Sequence, residues 1–528
     1  ESAEIVSLIG TFLSTRGYSD FAIDHFKQAL KIEPDYADAY YFMGNVFKNK
    51  QEFTAAIDSY KQALTIKPDY ETARVQKLYQ QAMICDLTAI EDDRDLIPSL
   101  GILDYHINPL ALMTFEDVPK RHRIRSEIYA KTKFTQKPIP LAVIPVQKPK
   151  RLRVGYFSSD FRQHSVAYGV LNIFASHDRK HFEVYGYSFG PDDGSEMRRR
   201  IIDAVDVFED VKGMNDKDIA FLARQDKIDI AIDLNGYTTK SRPGIFGYRA
   251  APIQIHFWGT ANSMGTDSID YYIGDYTGIP KEYEHGYSES IIRLPYWVQA
   301  NYNNDAVSNL PMTRADMGLP EQGFVFCCFN NSYKISSAEF DIWMRLLNKV
   351  SGSVLWILKS NKWMEQNLRQ EAQKRGIPAE RLVFAEKVLH PVHLARQRLA
   401  DLLLDTFNVN AGVTAGDALW VGLPMVTKLG KGFAARIGGS LLKAIGMPEL
   451  ITETEQEYEA LILDLATNPE RLASIKRKLA DNRLSKPLFN TELFTKHLED
   501  GYQQAYQRYF DGKNPANIYV NEQPKPAP

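Results

Sequence analysis

The stretch LADLLLDTFNVNAGVTAGDALWVGLPMVTKLGKGFAARIGGSLL, residues 399–442, decides the fold prediction. Its first apolar run, Leu399–Leu404, is interrupted by a single acidic residue and is typical of a strand buried in a parallel sheet. After a polar, glycine-bearing loop, the pattern turns helical from Asp417. A second short strand, Met425–Thr427, leads through another glycine-bearing loop into a helix over Phe433–Ala444. The stretch therefore predicts two consecutive strand–loop–helix units.

Both loops lie between the carboxyl end of a strand and the amino end of a helix, which is where open α/β sheets bind ligands. The first turn of a helix has unpaired N–H groups and a partial positive charge, and glycine lets an anion approach them. Asp417 could accept hydrogen bonds from ribose hydroxyls, and Lys428 and Lys431 could neutralise a diphosphate. The same residues also fit a simpler interpretation, in which Asp417 caps a helix and the glycines form ordinary turns.

Length, charge and cysteine content limit the class of protein. With 528 residues, the chain is too long for one ordinary core and should form about three domains. Its 63 basic and 66 acidic residues give a net charge of −3, which does not indicate a nucleic-acid partner. No apolar run reaches the roughly 20 residues of a membrane span, and no signal-peptide pattern is present. The three cysteines form neither a disulfide framework nor a metal site, so we expect a cytoplasmic protein.

Residues 1–90 carry an internal repeat. The segment FKQALKIEPDY, residues 26–36, recurs as YKQALTIKPDY at residues 60–70, and the period is 34, counted from Pro34 to Pro68. This period, with proline where one unit ends, is similar to the tetratricopeptide repeat. The predicted helices lie near Ile5–Ser14, Tyr18–Ile32, Ala37–Lys48, Glu52–Ile66 and from Tyr70 onward.

Such helices stack into an all-α superhelix. Because each repeat needs a neighbour and the chain starts within the pattern, we expect further repeats upstream. A repeat surface is typical of proteins that bind protein or peptide partners. The alternative is a structural spacer or a handle for forming a homodimer.

Residues 91–150 form a connector between the repeats and the rest of the chain. Helical character persists around Leu110–Lys131, and prolines stiffen an extended linker at 137–149. A domain boundary is therefore predicted near residue 150.

Residues 151–323 are predicted to form a first α/β lobe, because strands and helices alternate. The predicted strands are 151–157, 182–187, 228–234 and 253–257, and the helices begin near 165, 194 and 216. His164 stands in the loop between the first strand and the first helix, where a general base or a phosphate-binding group could act. A lone histidine is more often a structural hydrogen-bonding residue.

Residues 324–510 are predicted to form a second lobe. It opens with the strand FVFCCF at 324–329, and Lys334 follows before a helix over Ser337–Lys349. Further strands at 353–358 and 381–384 and helices at 362–375 and 392–398 precede the opening stretch. Two nucleotide-type lobes in succession predict a GT-B-type α/β fold, although periplasmic-type binding proteins and some epimerases share this plan. The last residues, 511–528, are expected to form a flexible tail.

Several motifs occur in the order seen in one family. They are RVGYFSSDFRQHSVAY, DLNGYT, PIQIHFWG, FCCFNNSYKI, SVLWIL, LADLLLDT and AGDALWVGLPMVTKLGKGFAARIGGSLL. Together with the repeats, they resemble the bacterial protein O-GlcNAc transferase and SPINDLY family, and the resemblance extends to about Tyr509. It implies an inverting, metal-independent glycosyltransferase that moves a sugar from a nucleotide sugar to Ser or Thr of proteins. It implies no other cofactor, with the nucleotide in the second lobe and the protein substrate on the repeats.

The resemblance also implies roles for individual residues. Lys334 matches the lysine that pairs with the β-phosphate of the donor, and Asn331 matches a neighbouring side chain at the phosphates. Thr414 lies at the helix end that, in the family, meets the diphosphate. His164 matches a histidine proposed to act near the acceptor.

The nucleoside is expected to lie farther along the second lobe. His393 and Arg396 match the pair that flanks the base and the ribose, and Asp417 matches the carboxylate that binds the ribose. His390 falls where the family has another side chain in contact with the base.

The chain departs from the family pattern in two loops. Where many bacterial members read PYNAHTTASD, residues 408–417 read NVNAGVTAGD, so that a histidine and a hydroxyl are missing at Gly412 and Val413. Where the family has G-Y-P, the chain has Gly259-Thr260-Ala261. UDP-GlcNAc is the expected donor, and GDP-fucose, as in SPINDLY, and UDP-glucose, as in asparagine glucosyltransferases, are the alternatives. A non-catalytic repeat scaffold is the alternative to an enzyme.

Overall fold

The computed structural model describes residues 2–103, 107–141, 144–298 and 307–522. A helical superhelix and a connector precede two lobes, each built on a parallel sheet. Within these ranges, no helix is long and apolar enough to cross a membrane.

Five helices form the repeat superhelix. They are α1 (Ala3–Thr15), α2 (Ser19–Ile32), α3 (Ala37–Asn49), α4 (Phe53–Ile66) and α5 (Glu71–Met83). A Cβ atom on Gly10 would lie 3.0 Å from the Phe26 ring, and one on Gly44 would lie 2.6 Å from the Tyr60 ring. Glycine therefore lets the helices of each unit approach closely at equivalent positions. The prediction of a repeated helix pair is confirmed.

The connector contains α6 (Leu87–Glu91), α7 (Leu110–Met113) and α8 (Pro119–Lys133). The predicted helical region around Leu110–Lys131 is thus two helices. Pro119 explains the break, because proline lacks an N–H group and its fixed φ favours the first position of a new helix.

The first lobe is built on a fully parallel sheet with the order β14-β7-β6-β5-β4-β1-β2-β3, in which β14 (Ile518–Tyr519) comes from the end of the chain. Its strands are β1 (Leu152–Ser158), β2 (Phe182–Ser188), β3 (Val207–Asp210), β4 (Ile230–Asp233), β5 (Ile253–His256), β6 (Tyr271–Asp275) and β7 (Ser290–Leu294). Its helices are α9 (Ser165–Ser176), α10 (Glu196–Ala204), α11 (Asp216–Gln225) and α12 (Gly244–Gly247). The sequence did not predict β3, β6 and β7.

The second lobe has a parallel sheet with the order β10-β9-β8-β11-β12-β13. Its strands are β8 (Val325–Cys328), β9 (Val354–Leu358), β10 (Leu382–Ala385), β11 (Leu402–Leu404), β12 (Met425–Lys428) and β13 (Ile451–Thr452). Its helices are α13 (Ser337–Lys349), α14 (Lys362–Lys374), α15 (His390–Gln397), α16 (Val413–Trp420), α17 (Ile437–Ala444), α18 (Glu455–Thr467) and α19 (Pro469–Arg483). The pair of Rossmann-like lobes confirms the predicted GT-B-type fold.

Short 3₁₀ turns complete the secondary structure. They are Arg94–Leu96, Lys281–Gly286, Ala315–Met317, Ser332–Lys334, Ala379–Arg381, Phe433–Ala435, Pro448–Leu450 and Pro487–Phe489.

The stretch that decides the fold differs from its prediction in three details. The strand is shorter, because the Asp401 carboxylate accepts a hydrogen bond from Val325 N–H at 2.9 Å and anchors a turn before Leu402. The first helix begins at Val413, so Asp417 lies inside it and not at its start. The predicted helix over Phe433–Ala444 is a 3₁₀ turn followed by α17.

The last helix, α20 (Thr491–Phe510), runs back from the second lobe onto the first. There the hydroxyls of Tyr502 and Tyr156 lie 3.3 Å apart. After it, β14 (Ile518–Tyr519) pairs with β7. The expected flexible tail is therefore wrong for this segment, because Ile518 and Val520 are buried against the first lobe. Residues 523–528 of that expected tail lie outside the described residues.

The repeat superhelix docks on the second lobe through the carboxyl end of α5. The Met83 carbonyl accepts hydrogen bonds from Ser332 Oγ at 2.8 Å and from Asn361 Nδ2 at 2.9 Å. The next carbonyl, of Ile84, accepts one from Asn367 Nδ2 at 2.8 Å. Side chains of the lobe thus satisfy carbonyl groups that a helix end leaves unpaired.

Candidate functional site

The first glycine-bearing loop, residues 405–412 between β11 and α16, is organised by the buried carboxylate of Asp405. This carboxylate accepts hydrogen bonds from the N–H groups of Thr406 and Ala411 at 2.9 and 2.7 Å. Thr427 Oγ1 donates a third hydrogen bond at 2.7 Å. Burial raises the pKa of Asp405 to about 6. The three hydrogen bonds to the Asp405 carboxylate therefore fix the conformation of the loop.

Lys334 lies where the loops after β8 and β11 meet. Its ammonium donates a hydrogen bond to the Asn410 carbonyl at 2.9 Å. Its charge also opposes the effect of burial on the pKa of Asp405. Asn410 Oδ1 accepts a hydrogen bond from Gly438 N–H at 3.1 Å, which ties the same loop to the first turns of α17. The fold thus places a fixed cation at the carboxyl edge of the sheet.

The amino end of α16 beside this loop has no side-chain cap, because Gly412 stands at the capping position. Thr414 lies in the first turn of the helix and is partly exposed. Asn331, at the start of the Ser332–Lys334 turn, is exposed, and its side chain caps nothing. An uncapped helix end with a nearby cation is a suitable place for a phosphate.

Asp417 and His390 are brought together from α16 and α15. His390 Nε2 lies 3.1 Å from Asp417 Oδ2, and the Asp417 side chain is mostly buried. The His390 ring also lies 5.8 Å from the ring of Tyr168 on α9 of the first lobe. This contact closes one side of the cleft between the lobes.

His393 and Arg396 form a second pair on α15. Arg396 Nε donates a hydrogen bond to His393 Nδ1 at 3.1 Å. The guanidinium lies over the rings of Phe329 and Trp356, with its carbon 5.5 and 5.9 Å from their centroids. Burial, with the charges of Arg396 and His390, lowers the pKa of His393 to about 3. His393 is therefore neutral and offers a flat, uncharged ring.

The second glycine-bearing loop, residues 429–432, is already occupied by a carboxylate of the chain. Asp117 in the connector accepts hydrogen bonds from the N–H groups of Lys431 and, at 2.7 Å, Gly432. Lys428 points elsewhere, because its ammonium lies 3.8 Å from Glu455 Oε1 and over a phenylalanine ring. The N–H groups of this loop thus already have an acceptor, and the contacts of Lys428 do not support the expectation that it neutralises a diphosphate.

His164 caps the amino end of α9. Its Nδ1 accepts a hydrogen bond from Val166 N–H at 3.3 Å and lies 3.8 Å from Asp160 Oδ1. Burial lowers the pKa of His164, Asp160 raises it and Arg162 lowers it further. Tyr168, one turn later, makes the contact with His390, so His164 stands on the wall of the cleft that faces the second lobe.

Sequence reasoning missed four residues of this site: Asp117, Tyr168, Asp405 and Asn410. Asp405 and Asn410 lie in the opening stretch, and an acidic residue directly after a buried strand is a detectable signal. Asp117 and Tyr168 are far in sequence from the residues that they contact, so no local sequence pattern indicates these contacts. Within the described ranges, no group of three or more His, Cys, Asp or Glu side chains is arranged to hold a metal ion.

Comparison with known proteins places the chain among glycosyltransferases. Residues 131–305 and 297–498 match the model of glycosyl transferase family 41, and residues 18–51 and 37–70 match tetratricopeptide-repeat models. An O-GlcNAc transferase mutant of Thermobaculum terrenum has the same fold, with a TM-score of 0.77 and 24% identity over 97% of this chain and 98% of that chain.

Two plant relatives cover most of the chain. A "Probable UDP-N-acetylglucosamine--peptide N-acetylglucosaminyltransferase SEC" of Arabidopsis thaliana is 36% identical over 390 residues, which are 72% of this chain and 40% of the relative. A SPINDLY protein of Hordeum vulgare with the same enzyme name is 31% identical over 385 residues, which are 70% of this chain and 40% of the relative. The chain thus spans about 40% of the length of these relatives. Because the family model matches most of both lobes, the chain belongs to glycosyl transferase family 41.

Proposed function

We propose that this chain transfers a sugar from a nucleoside diphosphate to Ser or Thr hydroxyls of proteins, with UDP-GlcNAc as donor, inversion at the anomeric carbon and no metal ion. The names of the relatives support the donor and the acceptor class. The observation that carries the proposal is the position of Lys334, whose ammonium lies at the loop leading to the uncapped end of α16.

The chemistry requires charge stabilisation where the diphosphate leaves. The acceptor oxygen attacks the anomeric carbon from the face opposite the diphosphate, and the bond between that carbon and the phosphate oxygen breaks. The electron pair stays on the phosphate oxygen, where Lys334 and the positive end of α16 stabilise it. An ammonium fixed before the reaction does this without reorganising in the transition state.

His164 is the proposed acceptor of the proton from the attacking hydroxyl. While Nδ1 accepts a hydrogen bond from Val166 N–H, a neutral ring carries its proton on Nε2 and cannot act as a base there. Nε2 becomes a base when the proton moves to Nδ1, which then points towards Asp160 Oδ1 at 3.8 Å. Asp160 is therefore proposed to select the active tautomer. Its carboxylate is held in place by Asn235 Nδ2 at 2.8 Å.

The nucleoside is proposed to lie between α15 and α16. Asp417 is the acceptor for ribose hydroxyls, and His390, its present partner at 3.1 Å, turns towards the base. The neutral His393 ring offers a flat face on which a base can stack, and the buried Arg396 guanidinium holds this ring through the hydrogen bond to Nδ1. Asn331 and Thr414 are proposed to contact the phosphates of the donor.

The repeats are proposed to hold the protein acceptor, because the superhelix docks directly behind the Lys334 loop through Ser332 and Met83. A truncation that removes residues 1–69 keeps α5 and its contacts with the second lobe. We expect it to lose transfer to proteins and to keep slow hydrolysis of the donor. Equal loss of both activities in a folded truncation would contradict this role.

The test of the proposed function is to incubate the protein with radiolabelled UDP-GlcNAc, GDP-fucose or UDP-glucose and a protein extract, with and without EDTA. We expect protein labelling from UDP-GlcNAc that resists EDTA and is released by mild alkali, as sugars on Ser and Thr are. Labelling from another donor would correct the sugar. The absence of labelling from all three would favour a non-catalytic scaffold.

A further inference from the structure

A cavity of about 520 Å³ lies on the first lobe, away from the cleft. Arg151, Asp229 and Pro252 line it, and each stands one residue before a strand of the parallel sheet. The cavity therefore opens at the amino edge of the sheet, whereas His164 and the cleft lie at the carboxyl edge. Its size is that of pockets that bind small organic ligands.

Basic side chains outnumber acidic ones in the lining. Two of the five basic residues are neutralised, since Arg151 pairs with Asp206 at 3.4 Å and Arg153 with Glu183 at 3.0 Å. The other three, Lys150, Arg224 and Lys227, have no acidic partner within 4.0 Å among the described residues. The cavity thus keeps a surplus of positive charge.

Arg224 stands at the wall of this cavity. Its Nη2 donates a hydrogen bond to the Pro140 carbonyl at 3.2 Å. Its Nη1 is shielded from solvent and has no hydrogen-bond partner among the residues that the structure describes. The Arg224 guanidinium therefore acts as a positive charge at the wall of the cavity, and its Nη1 reaches a bound anion only when the side chain turns.

Two tyrosines on the last turns of α20 add a flat surface. The rings of Tyr506 and Tyr509 lie 5.9 Å apart, and both line the cavity. Tyr506 is almost fully buried and supports the partly exposed ring of Tyr509, which is the ring that a ligand can contact. Pro149 and Pro252 supply further rigid apolar walls. This surface suits a planar ring, because aromatic faces stack on heterocycles.

We propose that this cavity binds a nucleoside phosphate, with the base against Tyr509 and the phosphates at Arg224, Lys227 and Lys150. The site is separate from the proposed donor site and does not depend on transferase activity. The acidic residues of the lining leave the balance positive, since Glu183 is paired and Asp229 accepts a hydrogen bond from Arg153 N–H at 2.9 Å.

The test is calorimetric titration of the full chain with ATP while saturating UDP occupies the donor site. ATP should bind, and inorganic triphosphate and adenosine should each bind more weakly. Arg224→Gln and Tyr509→Leu should each weaken ATP binding about tenfold, whereas Lys212→Gln, an exposed control on the same lobe, should not.

Folding of each variant is checked by its melting temperature and circular dichroism, and the two site variants serve as independent tests. Absence of ATP binding to the UDP-saturated protein would overturn the proposal. Equal affinities of wild type, Arg224→Gln and Tyr509→Leu would also overturn it. Triphosphate binding as tight as ATP would overturn the role of Tyr509.

Discussion

The two glycine-bearing loops of the second lobe are alike in sequence and different in structure. Each follows a parallel strand and leads into a helical segment. The loop before α16 ends at Gly412, which has no side chain to cap the helix, and Lys334 lies beside this loop. The loop at 429–432 is covered by Asp117, which accepts the hydrogen bonds that an anion would accept.

The difference shows that glycine content alone does not create an anion site. Whether such a loop can bind an anion depends on which side chain from another segment of the chain lies at the helix end. At one loop that group is a lysine from the neighbouring strand's loop, and at the other it is a carboxylate from the connector. Burial raises the pKa of Asp117, and the two N–H groups and the nearby lysines oppose this effect.

The largest effect is expected when the cation of the open loop is removed. Lys334→Met keeps the length of the side chain and loses its charge, so transfer should fall by at least about a hundredfold, as when one stabiliser of a developing anion is lost. Lys431→Met at the covered loop is the matched control and should change kcat/KM by less than about twofold. Both are measured with radiolabelled donor. Similar losses in the two variants would mean that the loops act together.

The second effect concerns nucleotide binding at the open loop. Asp417→Ala should weaken UDP binding by about 1.5–3 kcal/mol, the range for a lost hydrogen bond to a charged group. Calorimetry checks this, with Asp117→Ala as the control at the other loop. His390→Ala separates loss of the ribose contact from loss of the His390–Asp417 pair. Unchanged UDP affinity in Asp417→Ala would refute its assignment to the ribose.

The third effect concerns stability at the covered loop. Asp117→Ala leaves the N–H groups of Lys431 and Gly432 without their acceptor, and the unfolding free energy should fall by about 1–2 kcal/mol. Asp117→Asn keeps one acceptor oxygen and should lose less. Urea unfolding measures both. A loss of UDP affinity larger than the loss of stability would show that the covered loop binds the nucleotide.

The smallest effect concerns pH. The pKa of His393 is lowered from its ordinary value to about 3, so the ring gains a proton only as the pH falls through about 3. Between about pH 5.5 and 8 its charge does not change, and the ratio of UDP affinities of wild type and His393→Asn should stay constant. The ratio compares both proteins with the same ligand, so ionisation of UDP cancels. A change in the ratio near pH 6.5 would show that His393 titrates normally.

Local patterns predict most of the fold. Helix Ser337–Lys349 is predicted to the residue, because its amphipathic pattern is clear and Ser336 and Glu339 form a capping box at its start. The prediction is less accurate where short polar and glycine residues begin a helix. The first turn of α16 contains Val413 and Thr414 and is followed by Gly416, so the helical pattern becomes visible only at Asp417.

Contacts between distant segments could not be predicted. β14 has two residues, and it is a strand only because β7, more than 200 residues earlier, offers a free edge. For the site, motifs indicate Lys334, Asp417 and His393 as candidates, whereas the pairing of His390 with Asp417 and the cover by Asp117 depend on packing. Whether these candidates act in catalysis stays a prediction.

The contact of the Met83 carbonyl with Ser332 and Asn361 limits where repeats from another protein could be joined to this chain. A recombination event that joins foreign repeats after Cys85 would replace the helix end on which the Lys334 loop rests. A junction between Pro68 and Glu71 would keep α5 with its own lobe and change only the repeats before it. We therefore expect an exchange of repeats to keep α5 of this chain together with its two lobes.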